Sequence, residues 1–265
     1  MDLGQALTRV ALDGFCVVGG AIPAADVAAV RESVERATAA HGREEARDQG
    51  IGHLPGFMRY DQSLAPYVAD ARLMALIEGL LGTEVRVSFV TATINYPGNP
   101  RGSWHADWPF NQKNAGRIPA PYPDAVMHLT TLWMLSPFTE ANGGTLLVPG
   151  SHRQPTNPTA DMGVLPDAAY PTEINATGAA GSVLVLDSRI WHATAANQTD
   201  QPRVSVVVRY APWWLNTRVL MPGSAERARL TASGRTENDQ PPLPATVYEN
   251  LPEMTKPLFA HWLED

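Results

Sequence analysis

His105 and Asp107 stand two residues apart in the stretch SWHADWPF, Ser103–Phe110. In an extended chain, residues i and i+2 project to the same side, so an imidazole and a carboxylate at this spacing can converge on one point. Two donors do not complete a metal site. A non-haem divalent iron takes a third ligand on the same face, commonly a second histidine, and keeps the opposite positions open for a cosubstrate and oxygen. Of the seven histidines, His41 and His53 in or beside an early polar loop, His152 after the turn in PGSHR, and His261 near the terminus read as solvated or locally bonded. His128, inside a strand-like run, is open to either reading. His192 follows the apolar segment SVLVLD and lies eighty-five residues beyond Asp107, a separation that a rolled antiparallel sheet can fold back onto its own early strand. It is the third ligand the sequence offers.

The elements that must position these groups are legible in the pattern. Val27, Val30, Val34 and Ala37 recur at helical spacing and predict a helix over Ala24–Ala40, stopped by Gly42. A second helix is expected over roughly Pro66–Leu81, with Leu73, Leu76, Ile77 and Leu80 on one face and Gly82 behind it. Between them, Gly42–Asp61 is polar, glycine-punctuated and aperiodic, the signature of a surface loop. From Glu84 the pattern turns to strands: EVRVSFVTATINY, then Ala125–Leu135, Gly144–Pro149, Ser182–Asp187 and Arg203–Ala211, separated by Pro- and Gly-rich loops. Helices first and strands after, with no βαβ alternation, predict a mainly β jelly roll with flanking helices. One domain over 1–265 is expected: N-terminal helices to about 83, a β core over about 84–211, and a Pro-rich tail over 212–265 that wanders over the surface before PLFAHWLED docks.

Composition narrows the partners. Twenty basic against twenty-seven acidic residues give a net charge of −7, and no basic stripe exists to neutralise phosphates, which argues against nucleic acid. With Lys113 and Lys256 the only lysines, an anionic ligand needing a fixed cation will meet an arginine, whose fork suits carboxylates. A single cysteine, Cys16, excludes internal disulfides and thiolate clusters and fits a reducing, cytoplasmic setting. No run approaches the ~20 apolar residues of a membrane span. Nothing in the sequence sets the oligomeric state.

His105-x-Asp107 with His192 downstream, NGGTLLVPGSH (Asn142–His152) between them, and Arg203 eleven residues after His192 resemble the phytanoyl-CoA dioxygenase-like family of iron(II)- and 2-oxoglutarate-dependent oxygenases. The resemblance covers about Glu84–Tyr210 well, the N-terminal helices loosely and the tail hardly at all. It implies a double-stranded β-helix, or cupin-like jelly roll, in which His105, Asp107 and His192 bind Fe(II) and 2-oxoglutarate chelates the metal beside O2. Neutral imidazoles and one carboxylate leave the ion net positive, which suits an anionic chelator. The far carboxylate of 2-oxoglutarate then needs a permanent cation, and Arg203, at the start of the strand after His192, suits a bidentate pair. Arg209 shares that strand face but lies six residues farther on, roughly 20 Å in extended chain, and is expected at the barrel's other end. Thr194, Asn95 and Trp133 match family positions around the cosubstrate, and Ser205 could assist from the Arg203 face. Trp133 reads equally well as a core aromatic, and Asn95 as a turn residue.

The implied reaction is oxidation of a C–H bond, hydroxylation by default, with release of succinate and CO2; epimerisation, desaturation and cyclisation share the same ligands. Asp107 stands where halogenating relatives carry a small residue, so halogenation is not expected. The loop after Asp107, WPFNQKNAGRIPAPYPDA, offers Trp108, Phe110, Asn111, Gln112, Lys113, Arg117 and Tyr122 as a substrate lid or as a merely solvated loop. The segment Arg43–Arg59 could also close over the site. A small metabolite or natural product of mixed polarity is expected as substrate, since no basic cradle for a CoA is evident. A non-catalytic β-helix that senses a small molecule is the alternative from another class.

Overall fold

The structure, a computed structural model, describes residues 2–107, 124–154, 158, 164–234 and 238–264. Helix α1 (Leu3–Asp13) starts on Asp2, whose side chain accepts from the Gln5 N–H, and ends at Gly14 in the left-handed region. Strand β1 (Phe15–Val18) follows, then helix α2 (Ala24–His41), which buries the expected Val27, Val30, Val34 and Ala37. After α3 (Glu44–Asp48) and β2 (Ile51–Pro55) comes α4 (Ala71–Leu81), five residues later than its apolar spacing suggests. The reason is Asp70, whose carboxylate caps the N–H groups of Arg72 and Leu73 and so fixes the start. The remaining strands are β3 (Arg86–Asn95), β4 (Leu129–Met134), β5 (Thr145–Leu147), β6 (Ile174–Ala176), β7 (Val183–Asp187), β8 (His192–Thr194) and β9 (Arg203–Ala211). Helices α5 (Ala225–Ala232), α6 (Ala245–Glu249) and α7 (Lys256–Phe259) close the chain.

Two antiparallel sheets face one another, the larger in the order β1-β7-β4-β9-β3-β2 and the smaller β6-β5-β8, as the jelly-roll expectation requires. Strand parity divides the large sheet. On β9, Val204, Val206 and Val208 join the core with α2 and α4, while positions 203, 205, 207 and 209 face a cavity between the sheets. Each large apolar side chain so buried stabilises the fold by roughly 1.5–3 kcal/mol.

Three expectations are corrected. The stretch 42–61 is not a surface loop: β2 pairs with β3 from Ile51↔Asn95 to Pro55↔Thr91. Its sequence lacks strand alternation because Gly52 sits against the Ile94 and Thr38 side chains, where a Cβ would come within 3.0 Å. With β1 also preceding α2, strands are interleaved with the N-terminal helices instead of following them. The tail is anchored earlier than its docking segment: Gln240 Oε1 accepts from the Val90 N–H at 2.8 Å, and Thr255 donates to Ala65 O at 2.9 Å. The terminal segment docks as expected, with Leu258, Phe259 and Trp262 buried and Trp262 Nε1 donating to Val87 O. No helix among the described residues is long and apolar enough to cross a membrane.

Candidate active site

The segment Ser103–Asp107 runs beside β8 and extends the small sheet. His105 and His192 exchange backbone hydrogen bonds, His105 N–H to His192 O at 3.0 Å and His192 N–H to His105 O at 2.9 Å. This pairing puts the two imidazoles side by side, ring centroids 4.1 Å apart. Asp107 follows on the same side, its own N–H held by Ser188 O at 2.8 Å. One ligand atom from each of His105, Asp107 and His192 lies within 4.8 Å of the others, with His192 Nε2 3.6 Å from Asp107 Oδ2 and His105 Nε2 4.0 Å from Oδ1.

The tautomers follow from the partners. His105 Nδ1 lies 2.9 Å from Ser103 O, and His192 Nδ1 3.0 Å from Ile190 O. A carbonyl only accepts, so each Nδ1 carries a proton and Nε2 is the ring nitrogen left to face the cluster. Burial and the neighbouring His105 push His192 down to about 4, overcoming the opposing pull of Asp107, so it is neutral at ordinary pH. Burial alone would raise Asp107; the Arg209 guanidinium beside it, with the His192 and His105 imidazoles and the Thr130 hydrogen bond, wins and holds it well below the usual carboxylate range. Two imidazoles with Nε2 turned inward and one ionised carboxylate are a donor set that fits Fe(II).

A buried hydroxyl relay stands behind the carboxylate. Thr130 Oγ1 donates to Asp107 Oδ2 at 3.0 Å and lies 2.9 Å from Ser188 Oγ. Ser188 Oγ is 2.7 Å from His128 Nδ1, and His128 Nε2 is 2.8 Å from Ser88 Oγ. Burial pushes His128 down to about 3, so it is neutral. Because Thr130 spends its proton on Asp107, Ser188 must donate to Thr130, His128 Nδ1 to Ser188, and Ser88 to His128 Nε2. The histidine left open in the sequence thus belongs to this relay.

The cavity, about 430 Å³, runs from these groups along β9. Arg203, 2% exposed, donates from Nε to Gly143 O at 3.0 Å and from Nη1 to Ser205 Oγ at 2.8 Å, and its guanidinium lies over the Phe138 ring at 4.7 Å. Burial lowers it only to about 10, so it stays charged, yet among the described residues it has no carboxylate partner. Ser205 and Thr194 line the cavity with it. Asn95 and Trp133 do not. Asn95, opposite Arg203 in the β3–β9 register, spends its amide on Gly143 O and Ala195 O. On β4, Thr130 and Leu132 face the cavity, so parity turns Trp133 into the core, where its Nε1 donates to Thr131 Oγ1 at 3.1 Å.

Other placements depart from the sequence reading. Arg209 does lie at the far end of β9 from Arg203, but that end borders the His105–Asp107–His192 cluster: its Nη2 donates to Asp107 Oδ1 at 2.7 Å. His53 is not a solvated histidine, since it lines the cavity, and burial followed by Arg43 and Arg209 pushes it down to about 4. Asn238, brought in by the C-terminal segment, also lines the wall; the pairing of Asp239 with Arg43 and Arg227 fixes that approach, and no sequence signal marked it. His152, read as structural, bonds Ala11 O at 3.3 Å, and Trp104 and Trp191 pack together beneath the ligand strand. Trp108, Phe110, Asn111, Gln112, Lys113, Arg117 and Tyr122 lie outside the described residues.

A jelly roll with two imidazoles and a carboxylate gathered at one end of its cavity is the architecture of the iron(II)- and 2-oxoglutarate-dependent dioxygenases, and the chain is an enzyme of that class. It belongs to the phytanoyl-CoA dioxygenase (PhyH) family, whose model matches residues 10–205. Among curated relatives, the ectoine dioxygenase of Nocardia farcinica is 27% identical over 227 residues, covering 73% of this chain and 72% of its own. Dioxygenase af480 of Aspergillus fumigatus is 31% identical over 162 residues, 60% of this chain and 47% of its own. Among solved structures, the non-haem α-ketoglutarate-dependent epimerase SnoN from nogalamycin biosynthesis superposes with a TM-score of 0.65 at 21% identity, covering 84% of this chain and 87% of that one. The cofactors of the present chain are Fe(II), 2-oxoglutarate and O2.

Proposed function

We propose that His105, Asp107 and His192 hold the Fe(II), that Arg203 with Ser205 and Thr194 receives the far carboxylate of 2-oxoglutarate, and that the enzyme hydroxylates a C–H bond of a small metabolite or natural product. The observation that carries this reading is Arg203: a buried cation with no counter-ion among the described residues, on the wall of the cavity that the ligand cluster closes. Burying such a charge unpaired is costly, and a dianionic cosubstrate supplies the missing partner.

When bound, the iron with 2-oxoglutarate and O2 supplies the oxidant for an unactivated C–H bond, 2-oxoglutarate leaving as succinate and CO2. The residues do the placing. The carbonyls of Ser103 and Ile190 keep both Nε2 lone pairs turned inward; Arg203, braced by Gly143 O and the Phe138 ring, sets the depth of the cosubstrate; the apolar side chains Leu132 and Val207 share the cavity with Thr91 and Thr93. His53, Asn238 and Phe89 line the same cavity and, with Trp108, Phe110, Asn111, Gln112 and Arg117 of the following loop, form the substrate side of the reading. We take residues 1–265 to serve this one site as a single domain, working in the cytoplasm on a small molecule and not on nucleic acid. Epimerisation stays open as the outcome on some substrates because SnoN, of the same fold, is an epimerase.

The test is succinate release from 2-oxoglutarate by the Fe(II)-loaded protein under air, against His105→Ala. Release by wild type alone supports the assignment, and equal release by both contradicts it.

A further inference from the structure

Arg209 has no part in the ligand set or the cosubstrate clamp, yet among the described residues it makes the shortest polar contact to Asp107, Nη2 to Oδ1 at 2.7 Å. Three strands supply its setting in a single row. In the β3–β9 register Arg209 faces Phe89, and in the β4–β9 register it faces Thr130. The Phe89 ring lies 5.0 Å from the guanidinium carbon and fixes its plane from one side. On the other side, Thr130 donates to the second oxygen of the same carboxylate, Oδ2, at 3.0 Å. Adjacent residues of the large sheet therefore reach across the cavity and take one oxygen each of a carboxylate carried by the small sheet. The Arg209 side chain is 12% exposed and that of Asp107 7%, so water screens the pair little. The Thr130 hydroxyl is oriented in turn by Ser188, His128 and Ser88 through the relay described above.

We propose that Arg209 is a positioning residue for the metal centre: by committing Asp107 Oδ1 to its guanidinium, it makes Asp107 a one-oxygen ligand and keeps a coordination position open for the cosubstrate. This rests on the reading of His105, Asp107 and His192 as the metal ligands. Oδ2, the oxygen 3.6 Å from His192 Nε2, accepts from Thr130 through one lone pair and keeps another for the ion. A carboxylate released from Arg209 is free to turn both oxygens to the metal and occupy the position a chelating 2-oxoglutarate needs. Partners of metal ligands typically change affinity by about 10–100-fold when removed. Here the sign splits, because the lost partner is a cation: its removal favours the metal and disfavours the cosubstrate.

The experiment is anaerobic titration with Co(II) as the spectroscopic substitute for Fe(II), followed by 2-oxoglutarate, on wild type, Arg209→Met, Arg209→Lys and Thr130→Val. Arg209→Met is expected to bind Co(II) at least as tightly as wild type, to show an altered ligand-field spectrum, and to bind 2-oxoglutarate about tenfold more weakly; Arg209→Lys, which keeps charge and a donor, restores the wild-type spectrum and affinity. General damage to the fold weakens both ligands together and is not rescued by lysine. A folded Arg209→Met with wild-type spectrum and wild-type 2-oxoglutarate affinity overturns the proposal. If Arg209→Met does not fold, Thr130→Val decides: an altered spectrum beside a wild-type-like Arg209→Lys supports the cradle, and an unaltered one overturns it. Absence of Co(II) binding by wild type would instead remove the ligand assignment beneath it.

Discussion

Arg203 keeps its charge in a place where a charge is expensive, and that tension defines its role. Its Nε and one Nη are spent on Gly143 O and Ser205 Oγ, contacts that aim the fork without neutralising it. Charge-assisted contacts to a carboxylate are worth about 1.5–3 kcal/mol each. Arg203→Ala is therefore expected to raise the 2-oxoglutarate needed for half-saturation by about 100-fold while leaving Co(II) affinity without cosubstrate unchanged, and Arg209→Ala to raise it far less; equal effects in the two variants would refute the ordering. At this scale, the gathering of His105, Asp107 and His192 was legible in part, since a two-residue spacing on a strand fixes a shared side, and Arg203 was weighed against its competitor Arg209 by distance along the strand. The Arg209–Asp107 contact was not. Spacing along β9 measures distance down one strand and says nothing of which end the opposite sheet brings near. Trp133 stayed open between core and cavity for a related reason: an all-buried strand such as β4 gives no polar alternation to reveal which face meets the cavity.

Among the elements, the turn before β5 matters most to the site. Gly143 has φ +77°, and a Cβ there would lie 1.8 Å from Asn95 Nδ2, while its carbonyl accepts from Arg203 Nε. One residue thus seats the turn against β3 and braces Arg203. Gly143→Ala is expected to cost about 1–3 kcal/mol of stability, read as a lower melting temperature, and to weaken 2-oxoglutarate binding in the fraction that folds; a variant with wild-type melting and binding would show that the turn yields freely. The long strands β3 and β9 were readable from β-branched alternation. β2, β6 and β8 were not, because they lack the apolar runs that mark the equally short β5 and β7 and draw their definition from partners distant in sequence, as His192–Thr194 does from Thr145–Leu147.

Over the whole molecule, burial of neutral histidines ties stability to pH. His53 and His192 are pushed to about 4, His128 and His261 to about 3, against 6.5 when unfolded. Between those values the unfolded chain binds more protons than the folded one, so stability is full above about pH 6.5 and falls as pH drops toward 4. Each such group costs on the order of 1 kcal/mol per pH unit in that window. Thermal melts of the metal-free protein from about pH 7.5 down to about pH 5 should show a steady decline, and a flat profile would contradict the buried, neutral assignment.

The jelly roll was legible from the order of elements and the match of motifs along it. The contribution of the C-terminal segment was not, since Asn238 and Gln240 sit in a Pro-rich stretch without periodicity and gain their meaning only against His53 and Val90. The central claim is that one His–Asp–His cluster and one buried arginine make a metal and 2-oxoglutarate site. Its most direct measurement is the visible spectrum of the protein with Fe(II) and 2-oxoglutarate in the absence of oxygen. A metal-to-ligand charge-transfer band in wild type that vanishes in His105→Ala is the predicted result; no band in wild type, or an unchanged band in His105→Ala, would contradict it.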